Sequence, residues 1–253
     1  RASKCQGTAD PIMFSLKYFL SVAFMVATTA AAFAQPDAHA VSWIRYQNQL
    51  HFNNKFSWVN DIDNRRFIKP NTQNQFICHS RFLYQTGRFA FGGGLTLSWL
   101  YSTNSEQNIK HPTTEVRPVI EMGYEIPYKY WSLKHRILLD NRFIEQDRLE
   151  PFFHDHDYTL RFRYRIQARI PIRKDNGNLS RFAARLSDEI MLNHRENLFD
   201  QNRIYLMGEF AVNEKWTLET GYIHIYQQRF AQPDMLTRHV LRISVIHKLF
   251  PSL

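Results

Sequence analysis

The densest set of metal-ligating side chains in the chain is the run His154-Asp155-His156-Asp157. Imidazole and carboxylate together suit a borderline divalent ion such as zinc, and His154 and His156 would share a face if a strand begins there. No second ligand group stands at a supporting spacing, so the run reads as a polar surface loop, and no cofactor is expected. Serine with histidine near a lipid boundary could carry acyl transfer or hydrolysis. The two closest pairs, His79 with Ser80 and Ser244 with His247, differ in parity. On a strand their side chains leave opposite faces and cannot meet as a dyad. The carboxylates Glu121, Glu189, Glu209 and Glu219 could do acid-base work, but they stand in the same phase as Arg117, Arg161, Arg163, Arg165, Arg169, Arg185 and Arg203. Carboxylates set among arginines read as a neutralising ladder that lines an interior, with no catalytic set assembled.

What positions these residues is a period of two. In Tyr158 to Arg173 the even positions carry Tyr, Leu, Phe, Tyr, Ile, Ala, Ile and Ile, while the odd positions carry Arg161, Arg163, Arg165, Arg169 and Arg173 among polar residues and Pro171. Such sorting is a strand; wound as a helix, the arginines would spread over every face. Its length exceeds the five or six residues common in soluble domains and suits the ~9–11 that cross a bilayer on a tilt. The same pattern recurs in strands expected near 42–52, 55–65, 74–86, 88–102, 113–126, 132–146, 157–172, 181–193, 202–212, 215–228 and 237–250. Connections alternate short and long, as in antiparallel hairpins threading a membrane, and Asn53-Asn54 and Asp175-Asn176-Gly177-Asn178 suit tight turns. A single-chain barrel with both ends on one side needs an even count, so ten or twelve strands are expected, with twelve preferred. The irregular place is the N-terminal pair, where Asn60, Asp61 and Asp63 break the apolar alternation. Phe89, Phe91, Leu95, Leu97 and Trp99 form an outward row opposite Ala90, Gly92, Gly94, Thr96 and Ser98, whose small side chains are expected to leave inner space. Trp99, Tyr101, Tyr128, Tyr130, Trp131, Trp216 and Tyr226 sit at strand ends, where interfacial girdles lie.

Ahead of the strands, Lys17, the apolar run Tyr18 to Val26 and Ala32-Phe33-Ala34 have the order of a secretory signal peptide, 13–34, after an upstream extension, 1–12. One β-barrel domain, 41–250, follows. The formal charge is +9, and +7 once residues 1–34, with their three bases and one acid, are set aside. Singly spaced arginines alternating with apolar residues do not form a nucleic-acid motif, so no nucleic acid is expected as a partner. Cys5 lies ahead of the cleavage point, which leaves Cys78 alone, in phase with Phe76 and Phe82 on the apolar face.

Four stretches, LKHRILLDNRF (133–143), LRFRYRIQARIPI (160–172), FDQNRIYLMGEF (199–210) and WTLETGYIHIY (216–226), resemble a family of exported β-barrels of Gram-negative bacteria known only as a domain of unknown function. The resemblance implies the fold and no chemistry. The expectation is an all-β, antiparallel, up-and-down transmembrane barrel of about 10–12 strands in the outer membrane. Lipid and lipopolysaccharide would surround it, and the outer-membrane assembly machinery would deliver it. Its lumen would be lined by Arg117, Glu121, Arg161, Arg163, Arg165, Arg169, Arg185, Glu189, Arg203, Glu209 and Glu219. A narrow passive channel or a structural barrel is the leading reading; a lipid- or lipopolysaccharide-modifying enzyme and a soluble exported barrel with an apolar ligand are the rivals.

Overall fold

The structure, a computed structural model, describes residues 39–101, 112–145, 156–173, 181–195, 197–228 and 235–251. The expected signal segment, the 175–178 turn and the first half of the His154 to Asp157 run lie outside these residues. Eleven strands follow one another: β1 (His39–His51), β2 (Phe56–Phe67), β3 (Gln73–Thr86), β4 (Phe89–Leu100), β5 (Thr113–Pro127), β6 (Ser132–Glu145), β7 (His156–Arg173), β8 (Phe182–Asn193), β9 (Phe199–Ala211), β10 (Trp216–Gln228) and β11 (Met235–Leu249). Each expected strand is present with its ends within a few residues, and each pairs antiparallel with the next. The eleven strands form one closed barrel.

Closure corrects the even-number expectation. β1 pairs with β11 in parallel, from His39 opposite Arg238 to Leu50 opposite Leu249, without a register shift. An odd number of strands that alternate in direction brings first and last together pointing the same way, so eleven strands close by one parallel seam. Among the described residues the eleven expected strands are all present and no other strand is found. The start of β1 and the end of β11 therefore lie at opposite mouths. Where β1 begins, the mouth carries the longer connections; the other carries the short turns after β1, β3, β5 and β9.

The turn chemistry is local. Asn53 Oδ1 accepts the backbone N–H of Lys55 and Phe56 at 2.8 Å, and Asn213 Oδ1 does the same for Lys215 (2.9 Å) and Trp216 (2.8 Å). An asparagine side chain thus closes each turn by mimicking a backbone acceptor. Gly87 takes a φ of 57°, the left-handed conformation that glycine adopts without a Cβ penalty, in the turn between β3 and β4. Pro118 has no N–H to give, and the β5–β6 pairing skips Arg117 and Pro118.

Parity sorts the side chains into two environments. Ile44, Ile62, Phe82, Ile120, Ile204, Leu241 and Ile243 are 46 to 62% exposed on the outer wall. Asp61, Asp63, Glu115, Asp140, Arg161 and Glu189, which face inward, are 5% exposed or less. Aromatic pairs crowd both ends of the outer wall. Phe56–Tyr84, Phe89–Tyr124, Phe182–Phe210 and Trp216–His247 lie by the short turns, and Phe76–Trp99, Phe143–Tyr158 and Phe199–Tyr226 by the long connections. The row of small residues on β4 does not leave vacant space. A Cβ at Gly94 would strike Ser80 O and the Arg81 backbone, and one at Gly92 would strike Leu83. The missing side chains let Leu83 and Arg81 lie over the strand.

The parallel seam makes a testable claim. Ile44 and Ile243 are direct partners across it, both on the outer wall. In a chain with Cys5→Ser and Cys78→Ser, the pair Ile44→Cys and Ile243→Cys should form an intramolecular disulfide on mild oxidation, whereas Ile44→Cys with Leu249→Cys should not. Non-reducing gels of folded protein read the result.

Candidate functional site: the ion-paired interior

Charged residues from nearly every strand converge at mid-height. On β8, Glu189 is fully buried and accepts from four side chains: Arg163 Nη2 at 2.9 Å, Arg165 Nη2 at 2.8 Å, Arg136 Nη2 at 3.4 Å and the Tyr205 hydroxyl at 2.9 Å. β6 supplies Asp140, which takes Arg161 Nη2 at 2.6 Å and Arg163 Nη1 at 3.5 Å. On the opposite wall, Asp63 of β2 is held by two bonds from Arg45 of β1, 2.6 and 2.8 Å, and Asp61 takes Arg81 of β3 at 2.8 Å. Arg81 also reaches Glu121 of β5 at 3.1 Å, and Arg136 of β6 approaches the same carboxylate at 4.0 Å. Arg185 and Arg242 converge on Glu219 of β10 at 2.6 and 2.8 Å. Several of these links skip a strand, from β3 to β5, β6 to β8 and β8 to β10, so they brace the wall as well as neutralise it.

The energetics explain why acids and bases alternate around the ring. A guanidinium withdrawn from water costs several kcal/mol, offset only by close charged partners. Charge-assisted bonds of 2.6–2.9 Å supply that offset, and the planar fork of arginine can hold two acceptors at once. Trp43 of β1 adds an aromatic face, with the Arg65 guanidinium 3.7 Å from its ring centre and those of Arg45 and Arg242 at 5.1 and 5.3 Å. Cation–π contact of this kind steadies a desolvated cation.

This belt divides the interior. The space left at mid-height, between Arg45, Asp61, Arg81, Arg136, Asp140, Arg163 and Arg165, is about 50 Å³. Toward the long connections lies a cavity of about 310 Å³ lined by Trp43, Arg65, Arg117, Arg142, Arg161 and Arg203 among others. Toward the short turns lies a larger one of about 730 Å³, lined by Lys134, Arg169, Arg185, Glu209, Glu219 and Lys248 among others. Arg45 borders all three, so the two vestibules are separated by side chains and not by backbone.

Each of the eleven residues expected to line the lumen faces this interior. Arg161, Arg163, Arg165 and Glu189 form its centre, Glu121 is joined to it through Arg136, and Arg185 pairs with Glu209 and Glu219. Arg117 and Arg203 border the smaller vestibule, and Glu219 and Glu209 the larger. Arg169, whose side chain is 42% exposed, pairs with Glu209 at 2.7 Å near the mouth. Sequence reasoning missed an equal share of the network. Asp61 and Asp63 break the apolar alternation of β2 but keep the charged one: they are in phase with Arg65 on the inner face. Their spacing relative to Arg65 was a usable signal. Asp140 and Arg142 carried the same signal, being in phase with Arg136, and Glu115 was in phase with Arg117 and Glu121. Asp200 could not have been found by parity. The β8–β9 register shifts between Met191 and Leu192, and Asp200 is unpaired beside it, turned inward to Arg161 at 3.2 Å. A bulge re-aims a side chain in this way.

Outside the belt, the chemistry candidates separate. His79 points inward to Thr96 at 2.6 Å, while Ser80 faces outward and accepts from Trp58 Nε1 at 2.8 Å. Ser244 is buried inside, and His247 stacks on Trp216 outside with ring centres 3.9 Å apart. Neither pair can act together. Among the described residues no group of three or more His, Cys, Asp and Glu could hold a metal ion.

An apolar, aromatic-rimmed outer wall around a buried network of ions defines this chain as a closed all-β barrel with a charged lumen. It belongs to the DUF2490 family, proteins of unknown function, whose signature matches residues 40–236, from β1 to the start of β11. No curated protein matches the chain.

Removing the central carboxylate should be costly. Glu189→Gln leaves Arg163, Arg165 and Arg136 sharing one neutral amide, and the variant should lose about 3–5 kcal/mol of unfolding free energy. Glu209→Gln, nearer the mouth, should lose distinctly less. Denaturant titration of the refolded barrels compares them; equal losses would show that the mid-height belt has no special weight.

Proposed function

We propose that this protein is an integral β-barrel of the outer membrane, exported on its 13–34 segment, whose lumen is held shut at mid-height by arginine–carboxylate pairs. The observation that carries this reading is the inversion of the two faces. Large apolar side chains are exposed around the outer wall, while aspartates and glutamates are buried inside. Water would penalise such an outer wall heavily, at roughly 25 cal/mol per Å² of exposed apolar surface, and lipid would not. Aromatic pairs at both ends suit the two interfaces between lipid and water. A soluble barrel that binds an apolar ligand would need the opposite sorting, and the separated serines and histidines weaken the enzyme reading. Lipid and lipopolysaccharide are the surroundings this wall fits, and the outer-membrane assembly machinery is the route it implies.

Between the structural barrel and the narrow channel, the interior favours the structural one. Eleven strands lie between the eight that side chains fill and the sixteen that leave an aqueous passage. The residual 50 Å³ at the belt has room for about one or two water molecules. Permeation would require paired ions to part.

Two outcomes are expected. The protein should fractionate with outer-membrane markers and migrate differently before and after boiling. Phe162→Arg should lower the folded yield in lipid through a cost of up to ~2–4 kcal/mol near the midplane, whereas Arg169→Gln should fold normally. Recovery of folded wild type in detergent-free aqueous fractions would overturn the membrane assignment. In planar bilayers the wild type should give no steady current, only brief openings that favour anions. A stable, porin-like conductance would overturn the closed-lumen reading.

A further inference from the structure

The two vestibules differ in how well their cations are neutralised. In the smaller one, two arginines from separate strands share carboxylates that are already engaged, and a third pairs with a neutral amide. Asp63 is held by Arg45 through bonds of 2.6 and 2.8 Å, which leaves Arg65 at 3.5 Å. Glu115 takes Arg142 at 2.5 Å, and Arg117 stands farther off at 3.3 Å. Arg203 donates from Nε to the neutral Gln201 at 2.9 Å, and among the described residues no carboxylate lies within ion-pair distance of it. All three are mostly buried and border the same 310 Å³ cavity. Trp43, 3% exposed, lines that cavity too, and among the described residues no acceptor reaches its buried indole N–H. Among the described residues none reaches the buried Nε of Arg65 either. A buried donor without an acceptor is costly, so a cavity that collects two of them together with surplus positive charge is built to be filled by an acceptor.

We propose that this vestibule is a binding site for a phosphoryl group, free or carried on a small polar body such as a sugar. Arginines on β2, β5 and β9 approach from different parts of the wall, and a tetrahedral dianion offers acceptor oxygens in as many directions. A single carboxylate is satisfied by one bidentate arginine and would leave the others as they are. The cavity exceeds one phosphate and lies at the lower end of the range for small-molecule sites, which leaves room for a body of monosaccharide size. Gln75 and Gln227 on its lining can bond the hydroxyls of such a body. The occupant enters from the mouth with the long connections, because the ion-paired belt closes the other direction. The site depends on the barrel's interior alone and holds whether or not the outer wall faces lipid.

The test uses the full folded barrel in zwitterionic detergent, titrated at constant ionic strength with sodium phosphate, glucose 6-phosphate, glucose and sodium chloride, and read by calorimetry and tryptophan emission. Phosphate and glucose 6-phosphate should bind with one site per chain, while glucose and chloride should not. Arg203→Gln should weaken phosphate binding by about tenfold or more, as expected for loss of one charge-assisted contact. It orphans no carboxylate and should still fold, which its migration before and after boiling verifies. Arg169→Gln, in the other vestibule, should bind as wild type does. Trp43→Phe should abolish the phosphate-induced change in emission. The proposal is overturned if folded wild type binds neither phosphate nor glucose 6-phosphate, if chloride competes equally at matched ionic strength, or if Arg203→Gln and Arg169→Gln bind alike. A fractionation result against the membrane reading would leave this titration unaffected.

Discussion

Glu189 is the ion on which the interior turns. It is fully enclosed, and four donors from β6, β7 and β9 meet on its two oxygens. A carboxylate with no access to water is tolerable only when nearby cations replace its hydration, and those cations are tolerable only while it stays charged. The dependence is mutual. Arg163 passes it on to Asp140, Asp140 to Arg161, and Arg161 to Asp200, so a chain of shared charges runs from the belt toward the long-connection mouth. The barrel wall is held by backbone bonds, but its lumen is held by this relay.

The relay also explains why the strands alternate as they do. Were the lumen wide and wet, inward side chains would only need to be polar, and serine, threonine or lysine would serve. Arginine is selected here because its fork can serve two acceptors across a gap, as Arg81 does between Asp61 and Glu121 and Arg185 between Glu209 and Glu219. Glycines on the inner face of β4 allow one of those side chains to lie flat against the wall. Composition on one strand is thus tied to reach from another.

The fold was largely legible because alternation is a local property of the chain. Each strand announced itself, and so did most of the turns. The inner face was legible only in part, for a physical reason. An aspartate pair such as Asp61 and Asp63 looks irregular when a strand is judged by its apolar face, and regular when judged by its charged one. Asp200 shows the firmer limit: a bulge changes which way a residue points, and a bulge is fixed by the neighbouring strand's register, which the local sequence does not contain. The parallel seam lies in the same category. Eleven strand patterns are present in the sequence, yet the rule that a barrel with both ends on one side has an even count points to ten or twelve; the β1–β11 pairing that resolves it joins residues some two hundred positions apart, beyond the reach of any local pattern.

That seam makes the barrel a polar object from end to end. A barrel with an even number of strands returns the chain to the side from which it started, so whatever is attached at either end stays in one compartment. Here β1 begins at one mouth with His39 and β11 ends at the other with Leu249. A segment fused ahead of β1 and a segment fused behind β11 would be displayed on opposite faces. The wall is then a covalent bridge between the two mouths. Joining the start of β1 to the end of β11 by a short peptide, a step that succeeds for many compact folds, would require the linker to cross the full height of the barrel.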